Sequence, residues 1–362
     1  MNYVIIYILL LPLKGIMRLF YRPTGRSLVI QTAKIGDFIN ITPMLRALIK
    51  SDVLISKTVK PLAEHDETIS KIFLIEEAKR NLVTKINLAF SIMNRYDNIY
   101  LVQPNSTNLF FSALCNAPNK QFLRTYVLKP YHAIFYRTAK GIVEHRKQDL
   151  TIDSYLKLIN REYSHTDFPK HATSPLFEPI SPPVALMSVH KNLRIGISIS
   201  AGNRAKTIPA AVWNKLMEAM ADLPCTWYVF GPPSEQPYLD ELLTLTGNDG
   251  NIVNLIGHLT LEEVPWAIDK MDVYIASDSG NVYIADAQNV PVVVLYGPCN
   301  VQEQRPINKV LLIGPDNIPA TSFIFSAPYT FKNSADELFK LDDEKMQSIK
   351  SFIIGIWNSK IK

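Results

Sequence analysis

The sequence predicts an α/β protein of two doubly wound domains, and three observations carry that reading. The chain has 362 residues, 47% hydrophobic and 20% charged, which is too long for one typical core. Short apolar runs alternate with amphipathic stretches, starting at Ser27 and again at Leu193, the pattern of parallel strands covered by helices. Between these two series, Ser174 to Pro183 holds four prolines (Pro175, Pro179, Pro182 and Pro183), a composition suited to an extended linker. The expected organisation is an N-terminal segment 1–26, domains 27–180 and 190–330, and a helical segment 331–362.

The N-terminal segment is apolar from Tyr3 to Leu13, interrupted only by Pro12, and is followed by Lys14, Arg18, Arg22 and Arg26. A run of eleven cannot span a bilayer. A secretory signal would place its charge before the run and a small-residue cleavage site after it. The expectation is therefore an in-plane anchor at an anionic membrane surface, with a helix packed on its own domain as the plainer alternative. Charge supports the former. Residues 1–150 hold 21 Lys+Arg against 10 Asp+Glu, a net +11, while the remainder holds 17 against 23, a net −6. No zinc-finger spacing, RNP-type motif or Arg-rich run is present, so an anionic membrane or glycolipid is expected as the partner and not nucleic acid. Cys115, Cys225 and Cys299 form no metal or disulfide pattern, which points to a reducing cytoplasm.

In the first domain, Ser27 to Thr32 reads as a strand ending in Ala33-Lys34-Ile35-Gly36-Asp37, and Thr42-Pro43 reads as the N-cap and first position of a helix running to about Lys50. Asn98 to Val102 is a strand and Thr107 to Cys115 a helix. In the second domain, Leu193 to Ile199 is a buried strand followed by the loop Ser200 to Thr207, which carries Gly202 and Lys206. Thr226 to Phe230 ends in Gly231-Pro232-Pro233-Ser234-Glu235, with Ser234 able to cap the next helix. Ile252 to Leu255 is followed by Gly257-His258-Leu259-Thr260, and Asp272 to Ala276 by a helix over Val282 to Gln288. Such sheets bind ligands at the loops after their strands.

The corner Ser277-Asp278-Ser279-Gly280 is the most informative of these loops. The N–H groups of a first helical turn have no internal partners and favour an anion such as phosphate. Asp278 would repel phosphate, so its expected partners are hydroxyl groups, and hydroxyls beside phosphate suggest a nucleotide sugar. The plainer reading makes Ser279 an N-cap and Asp278 a turn residue.

Ile35-Gly36-Asp37 with Thr42-Pro43-Met44-Leu45-Arg46-Ala47-Leu48 resembles the N-terminal motif of the heptosyltransferase-like glycosyltransferases, glycosyltransferase family 9. Ser200 to Pro209, Asn254 to Gly257 with Thr260 to Val264, and Ser277 to Gly280 continuing through Val290 to Pro298 match further family motifs in order. The resemblance implies a GT-B architecture, two Rossmann-like domains facing across a cleft, with the acceptor on the first lobe, the donor on the second, and the last helix crossing back. It implies an inverting, metal-independent enzyme with no tightly bound cofactor, acting on a glycolipid, lipopolysaccharide or capsule acceptor at the inner face of the bacterial inner membrane. In that family's pattern Asp37, beside Gly36, is the general base, Lys206 holds phosphate, Glu235 holds the ribose and Leu259 meets the base. Asp278 contacts the donor sugar, with Ser279 and Gly280 at the helix start. Two positions depart from it: Ile208 replaces a tryptophan, and Tyr283 replaces a histidine in the donor site. An ADP-linked heptose is the favoured donor, a UDP- or GDP-sugar the alternative, and a catalytically silent glycan-binding module the reading from another class. A dinucleotide oxidoreductase is disfavoured because the first strand-turn lacks Gly-x-Gly-x-x-Gly.

Overall fold

The computed structural model describes residues 2–187, 192–202, 204–247, 250–326 and 333–361. The chain divides into two compact units, Met1–Lys170 and His171–Lys362, so the division falls just before the proline-rich stretch and not within it.

In unit 1 the principal elements are α1 (Asn2–Arg18), β1 (Ser27–Ile30), α2 (Ile35–Ala47), β2 (Ser51–Ile55), β3 (Ile69–Leu74), α3 (Leu82–Met93), β4 (Asn98–Leu101), α4 (Ser106–Leu114), β5 (Asn119–Arg124) and β6 (Gly141–Glu144). The six strands are parallel in the order β3-β2-β1-β4-β5-β6, the order of a dinucleotide-binding sheet. β1 and β2 are buried along their whole length; β1 shows this as the apolar run Leu28 to Ile30, whereas β2 also buries Asp52, which accepts from the Tyr96 hydroxyl at 2.7 Å.

Two features of unit 1 differ from the sequence reading. Helix α2 begins at Ile35, seven residues before the expected cap, and Pro43 lies inside it. A proline within a helix leaves the carbonyl four residues back without its N–H partner. Here the Thr42 hydroxyl donates to the Ile39 carbonyl at 2.8 Å and supplies the missing bond. The N-terminal segment, expected as an in-plane anchor or else as a helix packed on its own domain, packs within unit 1 along one face. Helix α1 packs on α4, with Tyr7 4% exposed against Phe135 and Tyr3 against Phe110. Lys14 Nζ donates to the Ala113 carbonyl at 2.9 Å, and Asn94 Nδ2 to that of Met17 at 2.6 Å.

Unit 2 is built from β7 (Leu193–Ser198), α5 (Ala210–Ala219), β8 (Cys225–Val229), α6 (Gln236–Thr246), β9 (Ile252–Asn254), β10 (Val273–Ala276), α7 (Gly280–Ala287), β11 (Val292–Leu295), β12 (Val310–Ile313) and α8 (Asp343–Ile361). Its sheet is also parallel, ordered β12-β11-β10-β7-β8-β9, which repeats the topology of the first unit. Ile195, Ile197, Trp213, Leu216, Ile275 and Val293 lie at its centre. The glycine in the β7 pattern has a packing reason: Gly196 faces Tyr274 in register, and a Cβ there would stand 2.6 Å from the tyrosine ring. Ser234 does not cap the following helix; it sits in a short 3-10 turn, Pro233–Glu235, that leads into α6. The final segment is not separate. Ile349 and Ile353 of α8 enter the core of unit 2, and Lys350 and Lys360 pair with Asp222 and Asp272 at 2.7 Å.

Candidate active site

Because all strands within a sheet run parallel, the loops that follow them emerge on one edge. In unit 2 the strand order reverses between β7 and β10, where the crossovers diverge and leave a crevice for ligand. Lys206 follows β7 and Asp278 follows β10, so two residues far apart in sequence are brought to one switch point. The Lys206 ammonium lies 2.6 Å from Asp278 Oδ2, and both side chains are largely buried. Tyr283, one turn into α7, donates its hydroxyl to Asp278 Oδ1 at 2.6 Å and is itself 2% exposed.

Burial by itself would lower the Lys206 ammonium, but the Asp278 carboxylate outweighs it and holds the group above its ordinary value. The reverse applies to Asp278: burial would raise its carboxyl, and Lys206 keeps it below the usual range. Burial, reinforced by the carboxylate, pushes the Tyr283 phenol well up. The three groups therefore form a charged pair with a protonated phenol at neutral pH.

Ser279 occupies the N-cap position of α7, yet its side chain caps nothing. Among the described residues neither its hydroxyl nor that of Ser277 has a hydrogen-bond partner, although both oxygens are buried. Gly280 opens the helix, so its N–H belongs to the unpaired first turn. The corner is held from behind by a buried network. Asn281 Nδ2 donates to Ser198 Oγ at 3.0 Å and to Tyr274 Oη at 3.2 Å, and those two hydroxyls are 2.7 Å apart.

Glu235 lies on the loop after β8, next along the same edge. Burial, the larger effect, raises its carboxyl, and the nearby Ser200 side chain opposes that rise. A Cβ on Gly231 would stand 2.6 Å from Glu235 Oε2, so a glycine is what lets the carboxylate fold over the loop. Leu259 is half-buried on the loop after β9, one strand further out. Gly202 is exposed on the loop after β7, and Asn203 beside it lies outside the described residues.

In unit 1 the strand order reverses between β1 and β4. Gly36 and Asp37 lie in the first turn of α2, directly after β1, with Gly36 buried and Asp37 half-buried. Asp37 Oδ2 accepts from the Lys34 backbone N–H at 3.3 Å, which also suits the helix N-terminus. Gln103, after β4, ties the two loops by accepting from the N–H and hydroxyl of Thr32 at 3.0 and 2.8 Å.

A model of glycosyltransferase family 9 (heptosyltransferase) matches residues 92–317. The chain belongs to glycosyltransferase family 9. Known structures agree on the fold. ADP-heptose lipopolysaccharide heptosyltransferase II of E. coli superposes with a TM-score of 0.65 at 18% identity, covering 91% of this chain and 99% of its own. E. coli heptosyltransferase WaaC with ADP gives 0.65 at 16% identity over the same shares. A family 9 glycosyltransferase of Veillonella parvula gives 0.62 at 17% identity, covering 80% of this chain and 86% of its own. The fold class is thus α/β of the GT-B type, with two Rossmann-like domains. No curated protein sequence matches the chain.

Several members of this candidate site were not singled out by sequence reasoning. Cys299 follows β11, and its buried thiol lies near Lys206 and Asp278, with burial pushing it up. Ser198, Tyr274 and Asn281 hold the corner in place, and Ser200 lies near Glu235. Each is an ordinary residue in a strand, a loop or a first helical turn, and only the switch point brings them together; Ser200 and Asn281 alone carried a local cue, since each lies inside a sequence motif.

Proposed function

We propose that the chain is an inverting glycosyltransferase that moves heptose from ADP-heptose to a glycolipid, lipopolysaccharide or capsule acceptor at the cytoplasmic face of the inner membrane. The observation that carries the reading is the Lys206–Asp278 pair at the switch point of unit 2, beside the start of α7 and the Ser279 hydroxyl, which has no hydrogen-bond partner among the described residues. A leaving nucleoside diphosphate gains negative charge, and a cation with aligned N–H dipoles stabilises that charge in the transition state. Lys206 exchanges its carboxylate partner for the diphosphate. Asp278, still held by Tyr283, then accepts from the sugar hydroxyls. Glu235 on the next loop suits the ribose, and Leu259 on the one beyond suits the base; the ADP bound to WaaC supports an adenine nucleotide.

Asp37 is the general base of this reading. Its carboxylate takes the proton of the acceptor hydroxyl as that oxygen forms a bond to the anomeric carbon. The bond from that carbon to the diphosphate oxygen breaks in the same displacement, so the configuration inverts and ADP departs. No metal is assigned a role, because Lys206 and the helix start supply the positive charge.

The test is thermal unfolding of the whole chain with ADP, UDP, GDP or CMP. A ligand that binds only the native state at a hundred times its Kd adds about 2.7 kcal/mol. ADP is expected to raise the melting temperature most. A larger shift with UDP or GDP would reassign the donor, and no shift with any of the four would refute the donor-site reading.

A further inference from the structure

Helix α1 carries apolar residues on both of its faces, and unit 1 covers only one of them. Tyr3, Tyr7 and Leu10 follow a helical spacing and pack on the domain. On the other side Ile5 is 55% exposed, Ile8 50%, Leu9 73%, Ile16 55%, Leu19 82% and Phe20 71%. At the helical advance of about 100° per residue these six fall within an arc of about 120°. Leu19 and Phe20 continue the stripe past the helix end, because their N–H groups still bond Ile16 and Met17. A surface helix normally gives such an arc to polar residues.

The surroundings are basic. The first acidic residue of the chain is Asp37, and before it stand Lys14, Arg18, Arg22, Arg26 and Lys34. Lys14 turns inward to Ala113 and Arg18 is exposed on another face of α1, while Arg22 and Arg26 are exposed on the segment that follows the stripe. The segment after the helix is held firmly. Asp97 accepts from the Tyr21 hydroxyl at 2.5 Å and from the backbone of Thr24 and Gly25 at 2.9 and 2.7 Å. The stripe is therefore a fixed plate on the domain.

We infer that the outward face of α1 lies in the interface of an anionic bilayer, with Ile5, Ile8, Leu9, Ile16, Leu19 and Phe20 among the acyl chains and the following arginines on the headgroups. Among the described residues no helix is long and apolar enough to cross a membrane, and α1 already commits half of its circumference to protein. Apolar burial and headgroup attraction add in this geometry. The inference rests on the membrane-borne acceptor only for its use in the reaction: the plate would hold unit 1 at the surface where a lipid-linked acceptor resides.

The experiment is co-sedimentation of the full chain with phosphatidylcholine vesicles, with and without phosphatidylglycerol. The unaltered protein should bind the anionic vesicles, and part of that binding should survive 1 M salt, where the Debye length is about 3 Å. Ile8→Ser, Leu9→Ser, Leu19→Ser and Phe20→Ser combined should lower partitioning at least about a hundredfold while leaving the melting temperature unchanged. Arg22→Gln with Arg26→Gln should cost about tenfold to thirtyfold, at low salt only. Equal binding by the fourfold serine variant, or no binding by the unaltered protein, would overturn the inference. So would a lipid-free dimer that the serine substitutions dissociate, since a second copy would then cover the face. ADP binding, measured by calorimetry on the same variants, reports separately on the donor site.

Discussion

Removing one member of the Lys206–Asp278 pair should cost far more than removing both. The two groups are 2.6 Å apart, with side chains 14% and 13% exposed. Lys206→Met leaves a buried carboxylate with only neutral donors, and Asp278→Asn leaves a buried ammonium without a counter-ion. Loss of one partner of a buried pair costs about 3–5 kcal/mol, whereas an uncharged replacement of both is often near neutral. For a unit of this size each kcal/mol shifts the melting temperature by about 2–4 °C, so each single variant should melt about 6–20 °C lower. The double variant should recover much of that loss, leaving a coupling of about 2 kcal/mol or more. Thermal unfolding of the four proteins at pH 7 measures it. The pH is safe by linkage. Asp278, depressed in the fold, contributes above its unfolded value of 3.8 and loses that contribution as pH falls through its lower folded value. Lys206, raised in the fold, contributes fully below 10.5 and loses that contribution only at still higher pH. Nucleotide binding supplies a second arm. Lys206→Met should weaken ADP far more than adenosine, while Asp278→Asn should strengthen ADP, because the ammonium no longer has a competing carboxylate. Additive stability losses, or a parallel fall in ADP affinity in both single variants, would refute the reasoning.

Two further expectations concern unit 1. Asp37→Ala should lower turnover by roughly 10² to 10⁴ with ADP affinity unchanged, and transfer at the unaltered rate would remove Asp37 from the mechanism. Lys120, buried on β5 with Nζ on the Ala113 carbonyl at 3.2 Å, is pushed down to about 7 by burial first and by the nearby Lys14 ammonium second. Between that value and 10.5 the unfolded chain binds the extra proton, so stability should rise with pH over this window; below about 7 the full cost of the buried charge is present. Lys120→Met should be more stable than the natural protein at pH 6 and should lose this slope in denaturant melts run from pH 6 to 10; an unchanged slope would show that Lys120 is not its source.

What is legible directly in the sequence is what depends on near neighbours. Buried parallel strands show as continuous apolar runs, and turns show as proline and glycine, so both α/β series and the strand-to-helix corner at Asp278 are visible in the residues alone. Where the local pattern allowed two solutions, tertiary contacts chose. Thr42-Pro43 is a sound helix start in isolation, yet the helix begins at Ile35 because the Thr42 hydroxyl replaces the bond that Pro43 removes and the packed core favours the longer element. The apolar run Tyr3 to Leu13 is clear, but its periodicity does not say which face meets protein; packing against Phe110 and Phe135 decides that and leaves the opposite face uncovered. The pairing of Lys206 with Asp278, and the placement of Cys299 and Tyr283 around them, spans loops after three different strands. Such contacts depend on strand order, which is set by how the whole chain buries its apolar surface and is written in no local stretch of it.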